Sequence, residues 1–163
     1  MPSKSTHIIL IDGQSGVGKT TLSLTMADAL GATVIHLDDV YPGWGGLVAG
    51  RDTVIDGVVR NVVDGRAGRV RRWDWERSAP GIDVNVPPSE VLIIEGCGIS
   101  TPASRAMADV VVWVDCPDST RRERLSSRDG EAFDAYRDVW DAQVSAHIAG
   151  NDPVNTATVT VNT

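Results

Sequence analysis

The sequence has few lysines, few cysteines and no long apolar run, and each shortage excludes a class of protein. Only two of its 15 basic residues are lysines, and the net charge is −7, which does not suit a general binder of nucleic acid or of an anionic membrane. The two cysteines, Cys97 and Cys116, are too few for a disulfide framework or a metal cluster, and we expect reduced thiols. The N-terminus lacks the pattern of a signal peptide, and no segment is long enough to span a membrane. We therefore expect a cytoplasmic protein with no membrane or nucleic-acid partner.

What is present is the composition of one folded domain. A chain of 163 residues, 42% apolar and 23% charged, can bury a sizeable core. Strand-like and helix-like segments alternate along it, with no internal repeat and no linker long enough to separate two domains. We therefore predict a single domain over residues 1–163.

Short apolar segments indicate five strands, and the stretches between them indicate helices. The predicted strands are residues 7–12, 33–37, 91–95, 110–115 and 157–161. The predicted helices are residues 21–30, 52–63, 117–128 and 130–148, whereas 41–50 is predicted to be a loop and 64–88 an irregular region with a short extended piece at 70–75. Strands separated by helices predict a parallel sheet covered on both faces, which is a three-layer α/β/α fold. Ligands of such sheets bind at the carboxyl ends of the strands.

Residues 13–20 read Gly-Gln-Ser-Gly-Val-Gly-Lys-Thr and fit the phosphate-binding loop of nucleoside-triphosphate enzymes. Glycines let successive backbone N–H groups turn toward one phosphate, and the helix that follows adds the positive end of its dipole. Lys19 would bring a charge to the β- and γ-phosphates of ATP, and the Thr20 hydroxyl is suited to ligate Mg²⁺. The predicted nucleotide contacts are Gly13, Ser15, Gly16, Val17, Gly18, Lys19, Thr20 and Thr21.

Carboxylates follow two other predicted strands. Asp38 and Asp39 come directly after the strand at 33–37, and Glu95 ends the wholly apolar strand at 91–95. An acid in that position is costly unless it is paired, so Glu95 is predicted to serve a magnesium ion together with Thr20. A carboxylate after the second strand can orient and deprotonate an acceptor hydroxyl. The three histidines are assigned no chemical role.

Three arginines share one face of the helix predicted at 117–128. Arg121, Arg124 and Arg128 have i, i+3, i+7 spacing, and such a cluster in an acidic protein suits a partner with several negative oxygens. In a phosphotransferase this would be a lid that closes over the transferring phosphoryl group. We predict the lid over residues 118–132, with Arg124 and Arg128 as its catalytic cations. A solvated face neutralised by neighbouring acids is the alternative.

These motifs resemble the uridine kinase-like family of P-loop small-molecule kinases. Residues 11–21 are similar to the phosphate loop of that family, residues 38–41 (Asp-Asp-Val-Tyr) to its Asp-x-Phe-Tyr motif, and residues 95–96 to its Glu-Gly. A fainter likeness links residues 73–75 (Trp-Asp-Trp) to the family's Tyr-Asp-Phe. The chain departs from the family at Val40, which replaces an aromatic residue, and at residues 76–78, where the family has a base-reading histidine.

The resemblance implies an ATP- and Mg²⁺-dependent kinase that transfers the γ-phosphoryl group to a hydroxyl of a small molecule, such as a nucleoside. It implies that Lys19 and Asp38 are catalytic, with Asp38 closest to the attacking hydroxyl, and that Thr20 and Glu95 serve the metal. The acceptor region is expected over residues 38–88, with substrate contacts from Asp38, Tyr41, Trp44, Arg72 and Trp73.

Two other functions fit the same residues. A nucleoside monophosphate kinase of cytidylate type would need cations for the phosphate of its acceptor, and these could come from Arg51, Arg60, Arg71, Arg72 and Arg77. A nucleotide-gated regulatory ATPase would need no acceptor pocket, although the Asp at 38 and the Gly/Trp-rich loop at 41–50 favour one. The acceptor and the oligomeric state stay open at this point.

Overall fold

The structure, a computed structural model, describes residues 6–163, and of Ala132 only the backbone. The strands are β1 (His7–Asp12), β2 (Thr33–His36), β3 (Gly68–Asp74), β4 (Ala79–Val86), β5 (Val91–Glu95), β6 (Val110–Asp115) and β7 (Val159–Asn162). The α-helices are α1 (Lys19–Leu30), α2 (Leu47–Val54), α3 (Arg60–Val63), α4 (Pro102–Arg105) and α5 (Asp118–Asn151). Over the range 6–163, no helix combines the length and the apolar character that crossing a bilayer requires.

A five-stranded parallel sheet forms the centre of the fold, with strand order β2-β5-β1-β6-β7. Alternate residues of β1 enter two separate cores, since Ile8 and Leu10 belong to one apolar cluster and Ile9 and Ile11 to the other. Both faces of the central strands are therefore covered, which explains why these strands are apolar along their whole length. The predicted three-layer α/β/α fold and its five strands are confirmed, with strand ends within two residues of the predicted ones.

Different helices cover the two faces. Residues of α1, among them Leu22 and Met26, pack on the core that contains Ile9 and Ile11. The core on the opposite face receives α2, α3 and the second half of α5, which contributes Phe133, Trp140 and Val144. Only the second half of α5 packs on this face of the sheet. Its first half lies beside the phosphate loop, where Arg121 and Leu125 approach Gly16.

The segment at 41–88 is more regular than predicted. The expected loop at 41–50 is wrong in its second half, because α2 begins at Leu47 and continues through a π-helical stretch, Ile55–Val59, into α3. The expected irregular region at 64–88 contains an antiparallel hairpin of β3 and β4. Along the two strands only Gly68, Val70 and Val86 are buried, so the apolar alternation that signals a strand is weak there. The short helix α4 was not predicted.

Helix α5 joins the two helices predicted at 117–128 and 130–148 across a kink. Gly130 has φ 57° and ψ −151°, a conformation open almost only to glycine. The arginine-bearing segment lies before this residue and the aromatic segment after it. The kink therefore lets one helix place its arginines in one region of the molecule and its aromatic residues in a neighbouring one.

We expect Gly130→Ala to lower the free energy of unfolding by about 1–3 kcal/mol, because an alanine would be strained at this φ even though a Cβ there would meet nothing within 4 Å. Gly150→Ala is the matched control, since Gly150 lies in the same helix with equally open space around it. That change should be neutral or stabilise the protein by up to about 1 kcal/mol. Denaturant unfolding of both variants measures the difference, and equal effects would contradict the role given to the kink.

Candidate active site

The phosphate loop lies between the end of β1 and the start of α1, and its backbone requires glycine. Gly13, Gly16 and Gly18 all have positive φ, at 154°, 85° and 97°. A Cβ on Gly13 would stand 2.5 Å from the Val114 carbonyl oxygen, and one on Gly16 would stand 3.0 Å from the Arg121 carbonyl oxygen. The loop is therefore pressed against β6 and α5, and larger residues at these positions would push it out of place.

Lys19 lies at the floor of a cleft above this loop. Its side chain is almost buried, and Nζ donates a hydrogen bond to the Gln14 carbonyl oxygen at 2.9 Å and lies 3.5 Å from Cys97 Sγ. Burial by itself lowers the pKa of Lys19, but Cys97, Glu95, Asp38 and Asp12 outweigh it, so the pKa is raised. Lys19 therefore keeps its positive charge inside the cleft.

Thr20 and Glu95 meet beside Lys19. Thr20 Oγ1 donates to Glu95 Oε1 at 3.0 Å, and Glu95 is only 3% exposed. Within the described part of the chain, no three His, Cys, Asp or Glu side chains form a group suited to a metal. Mg²⁺, however, does not need three protein side chains, because it takes most of its ligands from water and nucleotide phosphates. One hydroxyl and one carboxylate beside a phosphate cleft are therefore a suitable set of protein donors. The residues present thus fit the metal of a Mg-nucleotide.

His36 is a further partner of Glu95 that the sequence analysis missed. Its Nδ1 lies 2.6 Å from Glu95 Oε1, and the pKa of His36 is raised by that hydrogen bond, against the opposing effect of burial. The two residues occupy paired positions on β2 and β5, with His36 opposite Glu95 in the register. The signal in the sequence was the position of His36 at the end of a short apolar strand.

Asp12 is a second buried carboxylate with no assigned role in the sequence analysis. It is 1% exposed and accepts backbone hydrogen bonds from Gly13 at 2.7 Å, Gly98 at 3.0 Å and Ser100 at 2.9 Å. His147 Nε2 lies 2.8 Å from its Oδ2. The Asp12 carboxylate thereby connects the phosphate loop, the loop after β5 and helix α5.

The cleft above the phosphate loop has a volume of about 740 Å³. Most of the residues predicted to serve the nucleotide, the metal and catalysis line it: Ser15, Gly16, Gly18, Lys19, Thr20, Thr21, Asp38, Glu95, Arg124 and Arg128. Gly13 and Val17 are not among the lining residues, and Val17 packs its side chain in the core under the loop. Arg124 donates a hydrogen bond to Thr163 Oγ1 at 2.9 Å, and both residues line the cleft. The third arginine of the cluster, Arg121, turns toward Asp118 instead.

A second cavity of about 310 Å³ adjoins the first and is walled by aromatic rings. Its lining residues are Ser15, Asp38, Tyr41, Trp44, Trp75, Arg128, Asp129, Phe133 and Trp140. Ser15, Asp38 and Arg128 also line the cleft over the phosphate loop, so the two spaces meet at these residues. The side chain of Asp38 is open to this junction, and burial within the concave site raises its pKa although Lys19 opposes the shift.

The residues predicted to contact an acceptor are only partly brought together. Trp44 and Tyr41 line the aromatic cavity, although Tyr41 is 1% exposed and its hydroxyl donates to the Cys97 carbonyl oxygen at 2.7 Å. Arg72 and Trp73 do not line it: Arg72 is paired with Asp39 at 3.6 Å, and the Trp73 ring lies beside Gly43. The geometry therefore does not support a direct contact of these two residues with the acceptor.

Trp75 stands where Trp73 was expected. It lies in the turn between β3 and β4, where the chain bends over the segment after β2. Its Nε1 donates to the Asp38 carbonyl oxygen at 2.8 Å, and its ring centre lies 5.1 Å from that of Trp44. The sequence showed two tryptophans in this segment but could not show which one lines the aromatic cavity.

Comparison with known proteins places this arrangement in a family. The sequence matches the family described as AAA domain over residues 9–143. No curated protein matches the sequence closely enough to count as a relative.

Several solved structures share the fold. A protein of Bacillus stearothermophilus named "Possible Uridine Kinase" has a TM-score of 0.70 at 20% identity, covering 99% of this chain and 91% of its own. A candidate fructose transport system kinase from Silicibacter sp. TM1040 has a TM-score of 0.60 at 23% identity, covering 98% and 92%. Shikimate kinase from Acinetobacter baumannii has a TM-score of 0.58 at 16% identity, covering 98% and 85%. At these identities the likeness shows the fold, which is that of P-loop small-molecule kinases.

We expect the His36–Glu95 pair to make stability depend on pH. Because the pKa of folded His36 is raised above the unfolded value of about 6.5, the pair stabilises the protein fully below that value and loses its effect as pH rises through the folded pKa. His36→Gln should therefore cost most stability near about pH 5 and progressively less toward about pH 8 and above. Denaturant unfolding at each pH measures this difference.

Glu95→Gln provides the control for that experiment. In this background the effect of His36→Gln should no longer vary with pH in the same way, because the carboxylate that stabilises the imidazolium is gone. The same pH dependence in both backgrounds would contradict the pairing.

Proposed function

We propose that this chain, which belongs to the AAA domain family, is an ATP- and Mg²⁺-dependent kinase for a small molecule. The γ-phosphoryl group would be transferred to a hydroxyl of the acceptor, for which the uridine kinase-like motifs favour a nucleoside. The observation that carries this proposal is the aromatic cavity that meets the phosphate cleft at Asp38. A regulatory ATPase would need no second cavity at that point.

The nucleotide part of the proposal rests on the cleft. The backbone N–H groups of the phosphate loop would bind the β-phosphate, and Lys19 would neutralise charge between the β- and γ-phosphates. Arg124 and Arg128, which also line the cleft, would contact the transferring group, and Arg128 would do so from within its ion pair with Asp129. Thr20 and Glu95 would hold Mg²⁺, which when bound neutralises phosphate charge, and the hydrogen bond from His36 would orient Glu95.

Asp38 is the residue that we propose orients the acceptor. The acceptor oxygen would form a bond to the γ-phosphorus as the bond from that phosphorus to the β–γ bridging oxygen breaks, and ADP would leave with that electron pair. The hydroxyl proton would pass to Asp38, whose raised pKa suits a group that must accept it. Because phosphoryl transfer is largely dissociative, correct orientation of the hydroxyl matters more than its basicity.

The positions of five described arginines do not favour a nucleoside monophosphate kinase. Each of the five arginines that could have bound an acceptor phosphate has a carboxylate partner: Arg51 with Asp52, Arg60 with Asp56, Arg71 with Asp83, Arg72 with Asp39 and Arg77 with Asp74. None of the five lines either of the two cavities described above.

Lys19→Ala should lower the rate of ATP-dependent turnover by roughly a thousandfold or more, because it removes a charge that acts on the transferring phosphoryl group. The measurement is ADP release, with thermal unfolding as a check that the variant is folded. A folded variant that keeps most of its activity would rule out the proposed nucleotide site.

Asp38→Asn should lower acceptor phosphorylation by about 10²–10⁴-fold while ATP binding changes little, because the amide cannot take the hydroxyl proton. Asp39→Asn is the matched control: Asp39 is the next residue but pairs with Arg72 and lines neither cavity. Acceptor-stimulated ADP release over a panel of nucleosides, sugars and vitamins measures both variants. Equal losses in the two, or full transfer by Asp38→Asn, would contradict the placement of the acceptor.

A further inference from the structure

The walls of the second cavity offer flat apolar faces. Trp44 stacks on Tyr136 with ring centres 5.2 Å apart and planes 5° apart, and meets Phe133 edge-on at 5.0 Å. Trp75 and Trp140 complete the lining with Trp44, so three separate parts of the chain hold one aromatic surface. A space of about 310 Å³ between such faces suits a ligand with one or two planar rings.

The polar groups of these walls are used within the protein. Trp75 Nε1 donates to the Asp38 carbonyl oxygen at 2.8 Å, Trp140 Nε1 to Ser15 Oγ at 2.9 Å, and the Tyr41 hydroxyl to the Cys97 carbonyl oxygen at 2.7 Å. These three donors are therefore not available to a ligand. A phosphate or carboxylate entering the cavity would lose its hydration and find few replacement donors.

The charged residues that line the cavity also disfavour an anionic ligand. Arg128 is the one cation among its described lining residues, and both Nε and Nη2 donate to the Asp129 carboxylate at 2.7 Å. Asp129 lines the cavity as well, so the two charges neutralise each other where a ligand would lie. The remaining charged group is the carboxylate of Asp38, which repels an anion.

We infer that the acceptor is an uncharged alcohol with a planar ring, and that Asp129 sets this preference by neutralising Arg128. The inference rests on the proposed kinase function and adds to it the residue that makes the site select an uncharged acceptor. Asp129 acts through Arg128 and not on the reacting atoms, so it is a specificity-determining residue.

Matched pairs of probe molecules test the inference. Each pair consists of a nucleoside and its 3′-monophosphate, or of a hydroxymethylated aromatic heterocycle and its carboxylated derivative, so that the ring and the attacking hydroxyl stay the same and only the charge changes. Binding is followed by quenching of tryptophan fluorescence, since Trp44, Trp75 and Trp140 line the cavity, and transfer is followed by ADP release. Wild-type protein should bind the uncharged member of a pair at least about tenfold more tightly.

Asp129→Asn should reduce that preference by about tenfold, because the amide keeps the size of the side chain but leaves the Arg128 charge free to attract an anion. Asp134→Asn is the matched control: Asp134 lies in the same helix and is also paired with an arginine, Arg137, but it does not line the cavity. The preference should be the same in this variant as in the wild type.

The possible outcomes distinguish failure of this inference from failure of the proposed kinase function. Equal or tighter binding of the charged member by the wild type, or an unchanged preference in Asp129→Asn, overturns the inference even if ADP release shows a working kinase. A preference for uncharged rings that falls in Asp129→Asn supports it. If ADP release is absent throughout while that preference is seen, the proposed kinase function fails and the selection of uncharged ligands by Asp129 stands. If no uncharged ring alcohol quenches the fluorescence while ATP still binds, the inference is overturned as well.

Discussion

The carboxylate of Asp12 is buried at the end of β1, and the positions of the other site residues depend on how it is satisfied. A buried carboxylate costs several kcal/mol unless hydrogen bonds replace its hydration. Here the replacement comes from the backbone N–H groups of Gly13, Gly98 and Ser100, and from the imidazole of His147. The phosphate loop, the loop after β5 and helix α5 are therefore held to one point. Because α5 also carries Trp140 and Phe133, this interaction fixes the aromatic cavity relative to the phosphate cleft.

Around this point the carboxyl ends of the strands deliver the remaining groups. β5 ends in Glu95 and β2 in His36, and the hydrogen bond between these two residues lies beside Thr20 in the cleft. The kink at Gly130 then divides α5, so that Arg124 and Arg128 face the phosphate loop while the residues after the kink build the aromatic wall. Arg128 and Asp129 lie directly before this kink, where the two cavities meet.

The fold alone does not select an acceptor. The structures that share it include proteins named as a possible uridine kinase, a shikimate kinase and a fructose transport system kinase, so proteins with different names share one fold. In this chain the aromatic cavity is lined by the segment after β2, the turn of the β3–β4 hairpin and the second half of α5. These parts surround the space where the acceptor would lie, whereas the sheet and the phosphate loop supply the shared framework.

The sequence by itself determined the elements whose signals are local. The glycines, Lys19 and Thr20 of the phosphate loop follow a spacing pattern, and the strands of the central sheet are continuous apolar runs because both of their faces are buried. The sequence also predicted that Lys19, Thr20, Asp38 and Glu95 lie close together, because the carboxyl ends of parallel strands meet at one edge of the sheet. Only the tertiary structure decided which tryptophan enters the cavity, which carboxylate neutralises each arginine, and that His147 reaches Asp12 across 135 residues of chain. Those contacts join residues far apart in the sequence, or depend on a turn and a kink whose direction is set by packing, so no local pattern records them.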